Sequence, residues 1–366
     1  MQRRELLSRA LVLGASAAMP VWAVAAGSPR ARDYLRLVAA WADEANRQHL
    51  GVVRAHGDSL QVVRSIEIPG RAHGLLIEPG GTVLAAARRP GDWVLRWSPT
   101  TGAAQWFACA SDRSFTGHLL RDPTGACVYS AETDLGSGQG LIAVRDARTF
   151  ELRAEWPTHG IDPHQFMLDA DGSLLVANGG VPTRPETGRA KVDLDRMDPS
   201  LVRLDADSGT LLGRWRLPDT RLSIRHLARD ATGQVGIALQ AEHDDARVKA
   251  AAPVLALFDG TALRTVDTPQ PLAGYGGDIA ASASGFMVSV PRAGGVARWS
   301  RDGQWAGFTP LAEACSLASV AGEVWVGGRT QVAECGEAAA PQHQLAVAAL
   351  RLDNHWVALE RTERTR

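Results

Sequence analysis

Apolar residues along this chain come in short runs broken by Gly, Asp, Asn and Pro, the pattern of short β-strands joined by tight turns. The runs repeat. His73 to Ala86 aligns with His118 to Ala131, His164 to Ala177 and His226 to Ala238, each reading as a strand, a turn and a second strand. Asp278 to Val288 and Cys315 to Trp325 keep the shape but change the first residue. A third and a fourth strand follow, as in Trp93 to Trp97 and Ala104 to Ala108, or Leu201 to Asp205 and Leu211 to Trp215 across the turn Asp207-Ser208-Gly209. Four strands per unit, recurring every 37 to 62 residues, predict the blades of a propeller.

Six units start at His73, His118, His164, His226, Asp278 and Cys315. The N-terminal stretch offers three further strands, around Leu37 to Trp41, Leu50 to Val53 and Gln61 to Ile68. His355 to Glu360, placed after a hairpin from Gln344 to Leu352, supplies the missing innermost one. The expected fold is therefore all-β, a seven-bladed β-propeller closed by pairing of N- and C-terminal strands, forming a single domain over residues 33–366. Six or eight blades are the competing counts.

The first residues change the picture of where the protein works. Arg3-Arg4 precede Glu5-Leu6-Leu7 and an apolar run from Ala10 to Ala26, which reads as a twin-arginine signal peptide over residues 1–26 and predicts export to the periplasm. An ordinary secretory signal or a tethered N-terminus is the alternative. No later run is long enough to predict a stable membrane span after cleavage. Cleavage removes three arginines and one glutamate, moving the formal charge from −1 to −3. With 39 Lys+Arg against 40 Asp+Glu and no basic patch, nothing points to nucleic acid or an anionic membrane surface. The four cysteines, in an oxidising compartment, suggest structural disulfides Cys109–Cys127 and Cys315–Cys335.

Candidate chemistry collects at the strand starts. In a propeller they surround one mouth of the channel, and here they carry His73, His118, His164, His226, Asp278, Cys315 and His355. Imidazole suits iron, copper, zinc and nickel, and a carboxylate widens the set toward iron, so the five histidines and Asp278 are the expected ligands of a transition metal, iron favoured and copper possible. The competing reading is structural, with histidines bonding neighbouring blades. Arg71 and Arg225 flank the same positions. Asn178 and Arg184, on the longest loop, Asn178 to Pro199, complete the set of candidate cofactor-binding groups, with Glu132 to Gly140, Glu242 to Pro253 and Thr330 to Gln342 as further long loops over the mouth. The common enzyme signatures, including a serine elbow, a phosphate loop and a CxxCH haem site, are absent from the sequence.

Six segments together carry a family resemblance: Gly160 to His164, Val176 to Gly180, Met197 to Val202, Leu222 to Leu227, Pro291 to Gly295 and Asp353 to His355. On these the chain resembles the twin-arginine-exported bacterial proteins grouped as domain of unknown function 1513. The resemblance implies a propeller-like fold and gene clusters shared with iron-regulated imelysin-like lipoproteins and haem-peroxidase-like partners, but no known activity. Cys315 departs from the pattern expected at an inner-strand start. The expected function is iron acquisition or homeostasis by metal binding at the histidine-lined mouth. The alternatives are a noncatalytic scaffold docking an imelysin-like or peroxidase-like partner, and a metal-dependent hydrolase or oxidoreductase.

Overall fold

A computed structural model describes residues 35–183, 191, 193–320, 323–336, 340–347 and 349–359. The signal segment 1–26 and Arg184 lie outside the described residues. The fold is all-β and propeller-like, and its strands pair with their sequence neighbours. Five antiparallel sheets have four strands each, running from Ala72–Ile77 to Ala104–Ala108, Arg113–Arg121 to Leu152–Ile161, Pro163–Leu168 to Leu211–Trp215, Leu222–Arg229 to Leu263–Val266, and Ile279–Ala281 to Trp305–Pro310. A sixth sheet has eight strands. One half holds Ser316–Val320, Glu323–Gly327, Gln331–Cys335 and Gln344–Ala346; the other holds Arg351–Ala358, Arg36–Ala42, Gln48–His56 and Ser59–Ile68. A single parallel pair, Ala346 with Ser59, joins them at their outer edges.

The C-terminal strand thus pairs with the N-terminal one, with Leu37 opposite Ala358 and Ala39 opposite Trp356. Residues Gln344–Ala346 differ from the sequence reading. They pair with Gln331–Cys335 as a fourth strand rather than forming a hairpin into the terminal strand. One of the expected long loops is also short. Glu132 and Gly140 both lie within strands of one hairpin, and of Thr330 to Gln342 the residues Gln331–Cys335 are a strand. The segment Glu242 to Pro253 contains the helix Ala246–Ala251, whose N-cap Asp245 accepts from two backbone N–H groups.

Burial is deepest at the second strand of a sheet and least at the fourth. Val83–Ala87 and Leu174–Asn178 are buried along their whole length, whereas Ala104–Ala108 is mostly exposed. Apolar side chains on both faces of the deep strands pack against neighbouring sheets. Seven hydrophobic clusters result among the described residues, each shared by two successive four-stranded groups. Trp97, Trp299 and Trp325 are each about 1% exposed within them, and burying one large side chain of this kind stabilises by about 1.5–3 kcal/mol. First strands contact one another in succession, from Ala72–Ile77 against Arg113–Arg121 on to Ser316–Val320 against Arg351–Ala358, which also touches Ala72–Ile77.

All four cysteines are free, which corrects the disulfide expectation. Cys315 precedes Ser316, opposite Gly327, while Cys335 pairs with Val324 two strands away from the first. An offset of about four residues, roughly 13 Å, plus two strand spacings puts them far beyond the reach of a disulfide. Cys109 and Cys127 lie against different clusters. No helix of the described residues is long and apolar enough to cross a membrane.

Candidate metal centre

Five of the first strands carry a histidine, and in all five the pairing with the second strand breaks register at or next to it. The breaks fall between Ala72 and Leu75, Phe115 and Leu119, Pro163 and Phe166, Ile224 and His226, and Leu352 and Trp356. In each case the first strand holds the surplus residues. Such a bulge turns a side chain out of the regular alternation, and here it re-aims the imidazoles toward one another. Between the strands of His73 and His118, two glycines make room. Gly117 has φ +113°, and a Cβ on it would lie 2.9 Å from the His73 Cβ; one on Gly74 would collide with the Gly117 carbonyl.

The histidines converge. His73 lies 4.7 Å from His118 and 4.5 Å from His355 between ring centres, and His226 lies 4.6 Å from both His164 and His355. His73, His118, His226 and His355 each present a nitrogen within 4.8 Å of the others. Two nitrogens on opposite sides of one ion, at about 2.1 Å each, would be about 4.2 Å apart. The four rings would therefore draw inward to share one ion. His164 stands beside this group, its Nε2 3.0 Å from the His226 Nε2, so that one ring donates to the other.

Asp278, read from sequence as a ligand, has a different position. Its Oδ1 accepts from the Ile279 N–H at 2.9 Å; its Oδ2 accepts from the Leu317 N–H at 3.1 Å and lies 3.2 Å from the His355 Nδ1. A carboxylate on Nδ1 fixes the tautomer that leaves Nε2 to bind a metal. Asp278 thus holds the ring of His355 and is not one of the four clustered residues.

Electrostatics favour neutral rings. Burial, first, and then the neighbouring imidazoles and Arg225 or Arg88 hold His73, His118, His164 and His226 well below the ordinary histidine value. No proton then competes for the lone pairs. Both nitrogens of His73, Nε2 of His118 and His355, and Nδ1 of His164 and His226 are buried with no hydrogen-bond partner among the described protein atoms. Leaving such groups unsatisfied costs about 1–3 kcal/mol each. The unpartnered nitrogens are a donor set of the kind a cation site requires.

Above it lies a cavity of about 40 Å³ lined in part by His73, His164, His226, Arg225, Tyr275 and Asn354. Arg225 is 2% exposed and pairs with Asp162 at 2.9 Å; Arg89 pairs with the same carboxylate. Asp162 was not singled out from sequence, although it sits in the segment Gly160 to His164 and holds a left-handed backbone, φ 54°. Asn178 does not reach toward a ligand. Fully buried, it donates from Nδ2 to the Thr158 carbonyl at 3.0 Å and to Ser200 Oγ at 3.3 Å, bracing the turn before His164. Gly179 then passes so close to the Arg225–Asp162 pair that a Cβ there would meet both side chains. Arg71 forms a two-point ion pair with Asp353, close to the histidines in sequence and at the wall of a second, larger pocket.

A family model described as "Protein of unknown function (DUF1513)" matches residues 66–359. No curated protein matches the sequence. Among solved structures, a protein from Bacteroides fragilis proposed to be a 6-phosphogluconolactonase is 13% identical, with TM-score 0.59, covering 90% of this chain and 99% of its own. A chain of a mitotic checkpoint complex is 11% identical, with TM-score 0.55, covering 77% and 81%. A functionally unknown protein from Desulfotomaculum acetoxidans is 12% identical, with TM-score 0.51, covering 82% and 89%. At these identities the likeness is one of fold alone.

Proposed function

The chain belongs to the DUF1513 family, and from its own residues we propose that it is an exported seven-bladed β-propeller, closed through its terminal strands, that binds one transition-metal ion at the histidine cluster. The observation that carries the reading is the set of four convergent imidazoles, His73, His118 and His226 buried and held neutral and His355 half-buried beside them, each with a nitrogen that no protein group satisfies. The successive contacts of the first strands, and a hydrophobic cluster between every two neighbouring groups of four strands, support the ring. The paired arginines at Arg3-Arg4 support export to the periplasm.

Iron is the expected metal, on the family resemblance to proteins of iron-regulated gene clusters, and the role is iron acquisition or homeostasis. An all-imidazole site does not select iron by affinity, since copper(II) stands higher in the general order, so selectivity has to come from supply and geometry. The test is metal analysis and titration of protein exported with its own leader and purified without oxygen. One ion per chain is expected, lost in His118→Ala/His226→Ala while the fold persists by circular dichroism. Folded, metal-free protein that takes up none of Fe(II), Cu(II), Zn(II) or Ni(II) would remove the reading.

A further inference from the structure

We propose that the pocket beside the histidine cluster binds a small polycarboxylate, a di- or tricarboxylate anion able to chelate the same metal. The chelating role rests on the metal-binding reading above; the anion binding does not. The pocket has a volume of about 460 Å³, within the range of roughly 300–1,000 Å³ usual for small-molecule sites and larger than a bare inorganic ion needs. Its wall carries five arginines, Arg71, Arg88, Arg292, Arg329 and Arg351, against two carboxylates, Glu313 and Asp353, a surplus of three positive charges.

The surplus is not spread evenly. Arg71 is taken up by Asp353, and Arg329 lies 3.6 Å from Glu313. Arg292 and Arg351 have no carboxylate partner among the described residues. The Arg292 guanidinium lies 4.2 Å from the centre of the Tyr275 ring, and Arg351 donates to the Asp43 carbonyl at 2.8 Å and to Asn46 Oδ1 at 3.2 Å. Planar guanidinium forks match carboxylates two bonds at a time, so separated arginines around a cavity of this size suit an anion with several carboxylates better than one with a single charge. Cys315, in the same wall, has its thiol pushed up to about 12 by burial and the nearby Asp278 and Asp353, and stays protonated. It adds no competing negative charge.

The link to the histidines is direct. Arg88, Tyr275 and Asn354 line both this pocket and the smaller cavity over the cluster. An anion seated on the arginines therefore stands next to the cavity that His73, His164 and His226 line. Carboxylate oxygens there would complete the coordination that imidazoles begin.

Calorimetry of metal-free protein with citrate as the probe, at pH 7 and two salt concentrations, tests the proposal. Binding is expected, weakening with added salt and falling at least tenfold in Arg292→Glu, an exposed substitution that leaves the strands intact. His118→Ala/His226→Ala should bind citrate as the unaltered protein does, so that loss of metal binding and loss of anion binding are separate results. No heat of binding, equal affinity in Arg292→Glu, or orthophosphate binding more tightly than citrate would each overturn the assignment.

Discussion

Seven aligned positions do two different jobs. At five of them the first strand bulges and carries a histidine to the shared centre; at the other two, Asp278 and Cys315, the strand pairs with its neighbour without a register break. These two strands begin one residue after the aligned position, at Ile279 and Ser316. There Asp278 ties down the N–H groups of Ile279 and Leu317, and the Cys315 N–H bonds the Gly327 carbonyl. The arginine-lined pocket opens on the Cys315 side. An equivalent place in a repeat therefore joins the histidine cluster where a bulge aims it inward, and caps backbone groups or borders the neighbouring pocket where none does.

The largest consequence of the difference concerns acid. Four of the bulged histidines, His73, His118, His164 and His226, are held neutral in the folded protein by burial and neighbouring cations. In the unfolded chain they titrate near 6.5. Below that value the unfolded state binds more protons, so the stability of metal-free protein should be fully present above about pH 6.5 and lost as pH falls toward the depressed folded values. Each proton is worth about 1.4 kcal/mol per pH unit, so four give a limiting slope of about 5 kcal/mol per unit. Urea unfolding between pH 7.5 and 5.5 measures it, and His118→Leu should flatten the slope by about one proton's worth. A flat profile would mean that the rings are hydrated and titrate as they do in the unfolded chain.

A middle-sized effect is expected where the two kinds of position meet. Asp278, on an unbulged strand, holds Nδ1 of His355, on a bulged one. Asp278→Asn keeps the shape but replaces a charged acceptor by a neutral one, and groups that orient a metal-binding histidine typically contribute 10–100-fold in affinity. Metal titration should therefore show about tenfold weaker binding, with the ion-to-protein ratio unchanged. Unaltered affinity would leave Asp278 as a backbone cap and nothing more.

How much of this was legible in the sequence follows from what repeats. Alternating short strands recur, so the alignment of His73, His118, His164, His226 and His355 could be read directly, and so could the pairing of the terminal strands. The register breaks could not, because a bulge is defined by residues on the partner strand, as with Phe115 and Leu119 against Glu132 and Ser130. Asp278 looked like a ligand because its column is a histidine column; only the backbone N–H groups beside it reveal another use. Cysteine spacing suggested bridges, yet the offset of Cys315 and Cys335 along the sheet depends on which strand each one joins. The pocket's arginines come from places as distant as Arg71 and Arg351 and share no motif. Asn178 was misjudged for the same reason as Asp162 was missed: both act through turns whose geometry no local pattern announces.

The smallest expected effect is the sharpest test of the bulge as cause. If a histidine at an aligned position were enough, Cys315→His would add a ligand and strengthen metal binding. Without a register break, however, the side chain at 315 leaves a strand start that Gly327 holds in regular pairing, next to Gly277 and facing the arginine pocket. An imidazole there keeps the direction of the thiol it replaces. Metal affinity of Cys315→His should then stay within about twofold of the unaltered protein, less than 0.5 kcal/mol, while citrate binding declines as the new ring fills part of the pocket. A tenfold gain in metal affinity would show that alignment alone, without the bulge, places a ligand.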